Sequence, residues 1–173
     1  MSADKLKAAI RDIPDFPKAG IIFKDITPIL ADPDLFRLAV NLIADRHVGK
    51  GIKKVAVVDA RGFLFGSAVA YRLGVGLVPI RKKGKLPFRT YEESYSLEYG
   101  TATLSVHVDA FTKGEPVVLV DDLLATGGTA AASARLIEKA GGQVREIDFL
   151  IELGFLDGRK QIGGYPVFAA IQC

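Results

Sequence analysis

The stretch VVLVDDLLATGGTAAA, residues 117–132, combines two kinds of chemistry within a few positions. Four apolar residues lead into adjacent acids, Asp121 and Asp122, which can accept hydrogen bonds from paired hydroxyl groups or hold a hydrated Mg²⁺. A loop of small residues follows: Ala125, Thr126, Gly127, Gly128 and Thr129. Glycines let backbone N–H groups approach an anion, threonines add hydroxyl donors, and the start of a helix adds partial positive charge. The loop therefore suits a phosphate group, which the two acids would repel.

A ligand that carries both kinds of group resolves this conflict. Ribose 5-phosphate offers ring hydroxyls to the acids and a phosphate to the loop. The glycine pair alone would be ordinary turn chemistry, but two acids directly after a buried strand are costly without a partner. Two other phosphate sites are excluded, since neither G-x-x-x-x-G-K-[ST] nor a strand-following G-x-G-x-x-G occurs.

Alternating apolar runs and helical patterns predict the elements that position these residues. Buried strands are predicted at 55–58, 76–80 and 117–120, with further candidates at 99–108, 144–153 and 167–171. Helices are predicted at 63–73, at 127–140 and from Asp32-Pro33 to about Gly49, and a short N-terminal helix should stop at Pro14. Residues 13–20 and 86–96 are interpreted as irregular. The alternation predicts an α/β fold, with a central, mainly parallel sheet flanked by helices in one domain, 1–173.

Three predicted loops leave the carboxyl ends of strands, where ligands of such sheets bind. One is the acidic and glycine-rich loop, 121–129. A second, 59–62, contains Arg61, and a third, 81–85, reads RKKGK. Either of the last two could be a solvated turn. Because all three are expected at one sheet edge, we predict that Arg61, nearby backbone N–H groups and the basic loop bind a charged diphosphate.

Composition restricts the classes of function. The chain has 173 residues, 49% of them apolar, and 23 basic residues face 20 acidic ones, which gives little support for nucleic-acid binding. No apolar run approaches the roughly 20 residues of a membrane span. The single cysteine, Cys173, allows no internal disulfide, and His47 and His107 lack a partner at metal-ligand spacing. We expect a cytoplasmic protein with small-molecule partners, without nucleic acid or membrane.

The segment VVLVDDLLATGGT resembles the phosphoribosyl diphosphate (PRPP) signature of the type I phosphoribosyltransferases. The segments FPKAGIIFKDITPIL, DARGFLFG, RKKGKLP and SYSLEYG, in this order, resemble the branch of that family that acts on adenine. The resemblance covers nearly the whole chain. It implies the type I fold, conversion of adenine and PRPP to AMP and diphosphate, and a homodimer. Mg²⁺ is the implied cofactor, carried in by PRPP with no direct protein ligand.

The resemblance also assigns the site. Asp121 and Asp122 would hold the ribose, and the loop 125–129 the 5-phosphate. Arg61, Gly62, Arg81 and Lys85 would bind the diphosphate, and Arg81 could serve the neighbouring subunit of a dimer.

Two further segments would close over the base. A hood of about residues 1–35 would read adenine through the Ile22 backbone and pack Phe23 on its face, next to Lys24, where the family has arginine. A lid would carry Tyr95, Ser96, Glu98 and Tyr99, with Glu98 handling a proton of the base. The catalytic residues would then be Glu98, Asp121, Asp122 and Arg61.

Two alternatives stay open at this point. The same fold could act on hypoxanthine, guanine, xanthine or orotate. A PRPP-sensing regulator could use the signature without catalysis, although such a protein should carry a nucleic-acid-binding appendage or a strongly basic face.

Overall fold

The structure, a computed structural model, describes residues 2–97 and 99–173. The helices are α1 (Ser2–Ala9), α2 (Thr27–Ala31), α3 (Pro33–Ala44), α4 (Gly62–Leu73), α5 (Gly128–Lys139) and α6 (Arg159–Ile162). The strands are β1 (Arg11–Pro14), β2 (Ile22–Asp25), β3 (Lys54–Val58), β4 (Gly76–Lys82), β5 (Thr90–Ser96), β6 (Thr101–His107), β7 (Glu115–Leu124), β8 (Gly142–Glu152) and β9 (Val167–Gln172). No helix in these two ranges is long and apolar enough to cross a membrane.

Seven of the described strands form one sheet in the order β5-β6-β4-β3-β7-β8-β9. The strands β4, β3, β7, β8 and β9 are parallel neighbours, whereas β6 pairs antiparallel with both β4 and β5. Lys54 of β3 is level with Gly76 of β4 and Val117 of β7. The carboxyl ends of the central strands therefore meet at one edge, as the α/β prediction requires.

Helices cover both faces of this sheet and create two apolar cores. One core lies between the sheet and α5, and the other lies between the sheet and α1, α3 and α4. Helix α4 approaches β3 closely at Gly66, where an added Cβ would lie 1.9 Å from Val57 Cγ1. Helix α3 begins at the predicted position, because the Asp32 side chain accepts hydrogen bonds from the N–H groups of Asp34 and Leu35 at 2.9 and 3.0 Å.

The N-terminal segment departs from its prediction. The first helix ends at Ala9, and residues 11–14 pair with 22–25 as an antiparallel hairpin, so that only residues 15–21 form a loop. Arg11 is level with Asp25 and Asp12 with Lys24, which places opposite charges across the pair. The apolar Ile-Ile-Phe run at residues 21–23 therefore supplies a strand outside the main sheet.

Three boundaries of the predicted site elements were also wrong. Arg81 and Lys82, expected in a loop, are the last residues of β4, where Arg81 is level with Ser105 of β6. Residues 90–96, expected to be irregular, form β5 along β6. Strand β7 extends past the acids to Leu124, because β8 continues alongside it to Glu152. Pairing between distant segments, rather than local pattern, sets these boundaries.

Candidate active site

A cavity of about 400 Å³ opens at the carboxyl ends of β3 and β7. The end of β3 and the loop that leads to α4 contribute residues 58–61 to its wall, β7 contributes 121–123, and Phe149 of β8 also lines it. The glycine-rich loop and the start of α5 close the other side with Ala125, Thr126, Gly127, Thr129 and Ala130. The fold thus brings the acids and the predicted phosphate loop to one cavity.

The two acids lie near the end of β7, and their surroundings differ. Asp121 is half-buried and accepts a hydrogen bond from the Asp122 N–H at 2.8 Å, while Asp122 is buried. Burial, followed by repulsion from Asp122, raises the pKa of the Asp121 carboxyl well above its ordinary value. Burial also raises the pKa of Asp122, against the opposing effect of the Arg61 guanidinium. A ligand that donates hydrogen bonds to these carboxyls would therefore offset the cost of burying their charge.

Arg61 connects the acids to the start of α4. Its Nε lies 2.9 Å from Asp122 Oδ2, but the N–H is not aligned with that oxygen, which accepts no hydrogen bond from the described residues. The next residue, Gly62, is so close to Asp121 that an added Cβ would lie 2.8 Å from its Oδ1. The partial positive charge of the α4 N-terminus therefore lies beside the acid pair.

The glycine-rich loop is held by a distant segment. Gly127 has a φ of 88°, and an added Cβ would lie 2.2 Å from the carbonyl oxygen of Gly158. Gly158 in turn approaches Ala125, since its own Cβ would lie 2.3 Å from the Ala125 oxygen. The first intrahelical bond of α5 runs from the Ala131 N–H to Gly127 O at 2.9 Å. The N–H groups of the preceding residues of that turn are left for a ligand or water.

The diphosphate candidates divide between two places. Arg61 lines the cavity and Gly62 adjoins it. Arg81 and Lys85 do not line it: Arg81 donates to Asp59 at 2.9 Å and to the Lys85 carbonyl at 3.1 Å, and the Lys85 side chain is exposed. Asp59 does line the cavity, and its peptide bond to Ala60 is cis.

The hood candidates lie on the β1–β2 hairpin beyond the cavity wall. The Arg61 guanidinium lies over the Phe23 ring, 5.0 Å from its centroid, and Phe16 contacts Phe23 edge-on at 5.2 Å. Ile22 is exposed. Lys24 is bound to both Asp12 oxygens at 2.7 and 2.9 Å, so its charge is used within the hairpin.

The lid candidates lie on the β5–β6 hairpin and its turn. Tyr95 and Ser96 end β5, and the Thr129 hydroxyl donates a hydrogen bond to the Tyr95 hydroxyl at 2.9 Å. Tyr99 is exposed in the turn, with the Lys18 ammonium 5.4 Å from its ring centroid. Glu98 lies outside the described residues.

Comparison with known proteins decides the family. Residues 26–156 match the phosphoribosyl transferase domain. The chain is 54% identical over 172 residues to the adenine phosphoribosyltransferase of Thermoanaerobacter sp. (strain X514), covering 99% of both chains. The crystal structure of adenine phosphoribosyltransferase from Thermoanaerobacter pseudethanolicus matches with a TM-score of 0.95 and 53% identity, covering 99% of both chains.

The chain belongs to the adenine phosphoribosyltransferase family. A more distant member, that of Saccharomyces cerevisiae, was solved in complex with an imino-altritol bisphosphate and adenine. It has a TM-score of 0.93 at 38% identity over 98% of both chains. The predicted enzyme class, a transferase, and the predicted type I fold are confirmed.

Three contacts that hold residues of this adenine phosphoribosyltransferase site in place could not be predicted from local sequence. Asp59 holds Arg81, Gly158 fits against Gly127, and Tyr95 bonds Thr129, and each pair is separated by at least 20 positions. Two weak signals for these contacts are present in the sequence: the glycine at 158 and the first tyrosine of SYSLEYG, Tyr95. Both have ordinary structural roles in most sequences.

His47 is also partnered, contrary to its apparent isolation in the sequence. Its Nε2 lies 2.5 Å from Asp148 Oδ2, and both residues are buried. With Glu146 they form a group whose ligand atoms lie within 4.8 Å. Arg46, however, is bound to Glu146. The Arg46–Glu146 ion pair and the His47–Asp148 hydrogen bond therefore account for this cluster, which lies on the opposite face of β8 from Phe149.

Proposed function

We propose that this chain transfers the 5-phosphoribosyl group of PRPP to adenine, forming AMP and releasing diphosphate. One observation carries the proposal: in a member of this family, an acid pair and a glycine-rich helix start share a cavity of about 400 Å³. One side offers acceptors for ribose hydroxyls, and the other offers N–H and hydroxyl donors for a phosphate.

In this reaction one bond forms and one bond breaks at C1 of the ribose. A ring nitrogen of adenine attacks C1 while the bond from C1 to the diphosphate oxygen breaks. Positive charge develops on the sugar and negative charge on the leaving group. We infer that Asp121 and Asp122 accept the ribose hydroxyls and stabilise the developing cation, which they can do only as carboxylates. Burial raises the pKa values of both carboxyls, and hydrogen bonds donated by the ribose hydroxyls would offset this by stabilising the carboxylate forms.

Residues on the two sides of the acids would hold the anionic groups. The loop 125–129 would bind the 5-phosphate, with the Thr126 and Thr129 hydroxyls beside the first N–H groups of α5. Arg61, already in the cavity wall, would turn its guanidinium towards the diphosphate. Holding both ends fixes C1 with respect to the base.

The hood and the lid would complete the site around the base. Phe23 offers an aromatic face beside Arg61, which suits a flat purine once the guanidinium has moved onto the diphosphate. The Ile22 backbone would contact the edge of adenine, next to Lys24. Glu98 would take the proton that adenine loses, and the lid would keep water from the ribosyl cation.

We propose that Mg²⁺ enters with PRPP and neutralises charge on the diphosphate. The cavity fits this role, because Asp121 and Asp122 line it and Asp122 Oδ2 accepts no hydrogen bond from the described residues. These oxygens would contact the hydration shell of the ion, consistent with oxygen-rich, water-retaining Mg²⁺ sites.

We also propose a homodimer that covers the outer face of β4. Leu77 is 44% exposed and lies on the same face of β4 as Arg81, and Tyr71 of the adjacent α4 is 90% exposed. A second copy on this face would bury these side chains and could receive Arg81 at its own site. Sedimentation velocity of the wild type and of Leu77→Asp tests this proposal: a monomeric wild type would refute it.

Product formation from PRPP with each of adenine, hypoxanthine, guanine, xanthine and orotate tests the activity. We expect AMP from adenine only in the presence of Mg²⁺. Rapid turnover of guanine without turnover of adenine would overturn the choice of base. Glu98→Ala distinguishes an enzyme from a regulator, because PRPP binding should persist while turnover is lost.

A further inference from the structure

The lid strand is attached to the helix that carries the phosphate loop. Tyr95, near the end of β5, accepts a hydrogen bond from the Thr129 hydroxyl at 2.9 Å. Its ring also packs on the loop, since a Cβ added to Gly128 would lie 3.2 Å from Tyr95 Cδ2. Farther along α5, Arg135 binds Glu93 at 2.8 Å. Contacts near both its start and its middle therefore connect α5 to strand β5.

The direction of the Tyr95–Thr129 hydrogen bond matters for phosphate binding. Each hydroxyl has one hydrogen and can also accept. The Thr129 hydroxyl donates its hydrogen to Tyr95. A phosphate in the loop accepts hydrogen bonds only, so Thr129 must turn its hydrogen towards the phosphate. The phenol hydrogen of Tyr95 can then donate to the oxygen of Thr129, and a chain of hydroxyls in one direction strengthens each bond.

We propose that Tyr95 is a positioning residue that sets the Thr129 hydroxyl for the 5-phosphate and thereby links phosphate binding to the lid strand. The inference rests on the proposed function, because it assigns the phosphate to the loop 125–129. The inference gives Tyr95 a different role from the other lid residues, which are proposed to cover the base. The effect of Tyr95 should therefore depend on the 5-phosphate and not on the base.

Calorimetric titration with AMP and with adenosine, which lacks the phosphate, tests this dependence. Tyr95→Phe should weaken AMP binding by roughly two- to tenfold, the value of one hydrogen bond, and leave adenosine binding unchanged. Thr129→Val should abolish the effect of Tyr95→Phe, whereas Thr129→Ser should preserve it. Tyr91→Phe, which removes the same hydroxyl from the same face of β5 four residues earlier, is the matched control.

The possible outcomes distinguish failure of the Tyr95 inference from failure of the proposed function. If the wild type binds neither AMP nor PRPP, the proposed function fails. If the wild type binds AMP and makes it from adenine, the inference fails under either of two results. One is equal loss of AMP and adenosine affinity in Tyr95→Phe, and the other is additive loss in the double variant with Thr129→Val. Thermal denaturation of each variant shows whether Tyr95→Phe has changed the fold instead.

Discussion

Replacement of Gly127 by alanine should damage the phosphate loop far more than the change of one methyl group suggests. Gly127 immediately precedes α5, at a φ of 88° and in a buried position. Alanine in this left-handed region costs about 1 kcal/mol in backbone strain. That cost alone would lower stability slightly and leave the site nearly intact.

The larger effect comes from the contact with Gly158. The new Cβ would lie 2.2 Å from the Gly158 carbonyl oxygen, whereas carbon and oxygen normally approach to about 3.3 Å. The phosphate loop or the Gly158 backbone must therefore move by roughly 1 Å. Neither can yield by a side-chain rotation, because both groups are backbone. A displacement of this size at a site that positions a reacting group lowers the rate by about 100-fold.

Steady-state kinetics with varied PRPP measure the loss as kcat/KM. Gly49→Ala is the matched control, since Gly49 has a φ of 73° and nothing lies within 4 Å of its added Cβ. Both variants should be destabilised by a similar backbone strain, but only Gly127→Ala should lose about two orders of magnitude in kcat/KM. Activity of Gly127→Ala within threefold of Gly49→Ala would refute the argument that Gly158 fixes the loop.

Three further predictions concern charged groups. Arg61→Gln removes the cation that lowers the pKa of Asp122, so the acidic limb of the pH profile of kcat/KM should shift to higher pH. An unshifted limb would show that the Arg61 charge does not act on the acids that control the rate. His47→Ala leaves Asp148 buried without its partner and should lower the free energy of unfolding by about 3 kcal/mol in urea titration, while Asp148→Asn, which removes the charge, should cost less. Asp12→Asn loosens the ion pair with Lys24 and should raise KM for adenine up to about fivefold without changing KM for PRPP.

Several residues that line the cavity could be predicted from the sequence because they lie close together in the chain. An apolar run, Asp121 and Asp122, and the loop of residues 125–129 form one continuous segment in the sequence, and the structure brings both acids and Gly127 to the same cavity. The central parallel strands were predictable for the same reason, since each is a local apolar run. Local pattern therefore predicts the central strands of the sheet and the acids and small loop residues at its edge.

Partnerships between distant residues were not predictable from such patterns. Arg81 read as part of a charged loop, but it pairs with Asp59 because β3 and β4 end side by side. His47 and Asp148 are 101 residues apart and meet only because α3 packs across β8. In each case the topology of the sheet, and not the spacing in the chain, selects the partner.

These long-range contacts also show how the two halves of the site can act together. Arg61 connects the acids to the hood through Phe23, and Thr129 connects the phosphate loop to the lid through Tyr95. On the proposed function, PRPP would engage Arg61 with its diphosphate and Thr129 with its 5-phosphate, and so would change both contacts. A ligand that carries only one of these two groups should therefore affect only one of the two covering segments. Hydrogen exchange in the presence of diphosphate alone should change the hood, and exchange in the presence of ribose 5-phosphate should change β5; identical patterns with both ligands would refute this separation.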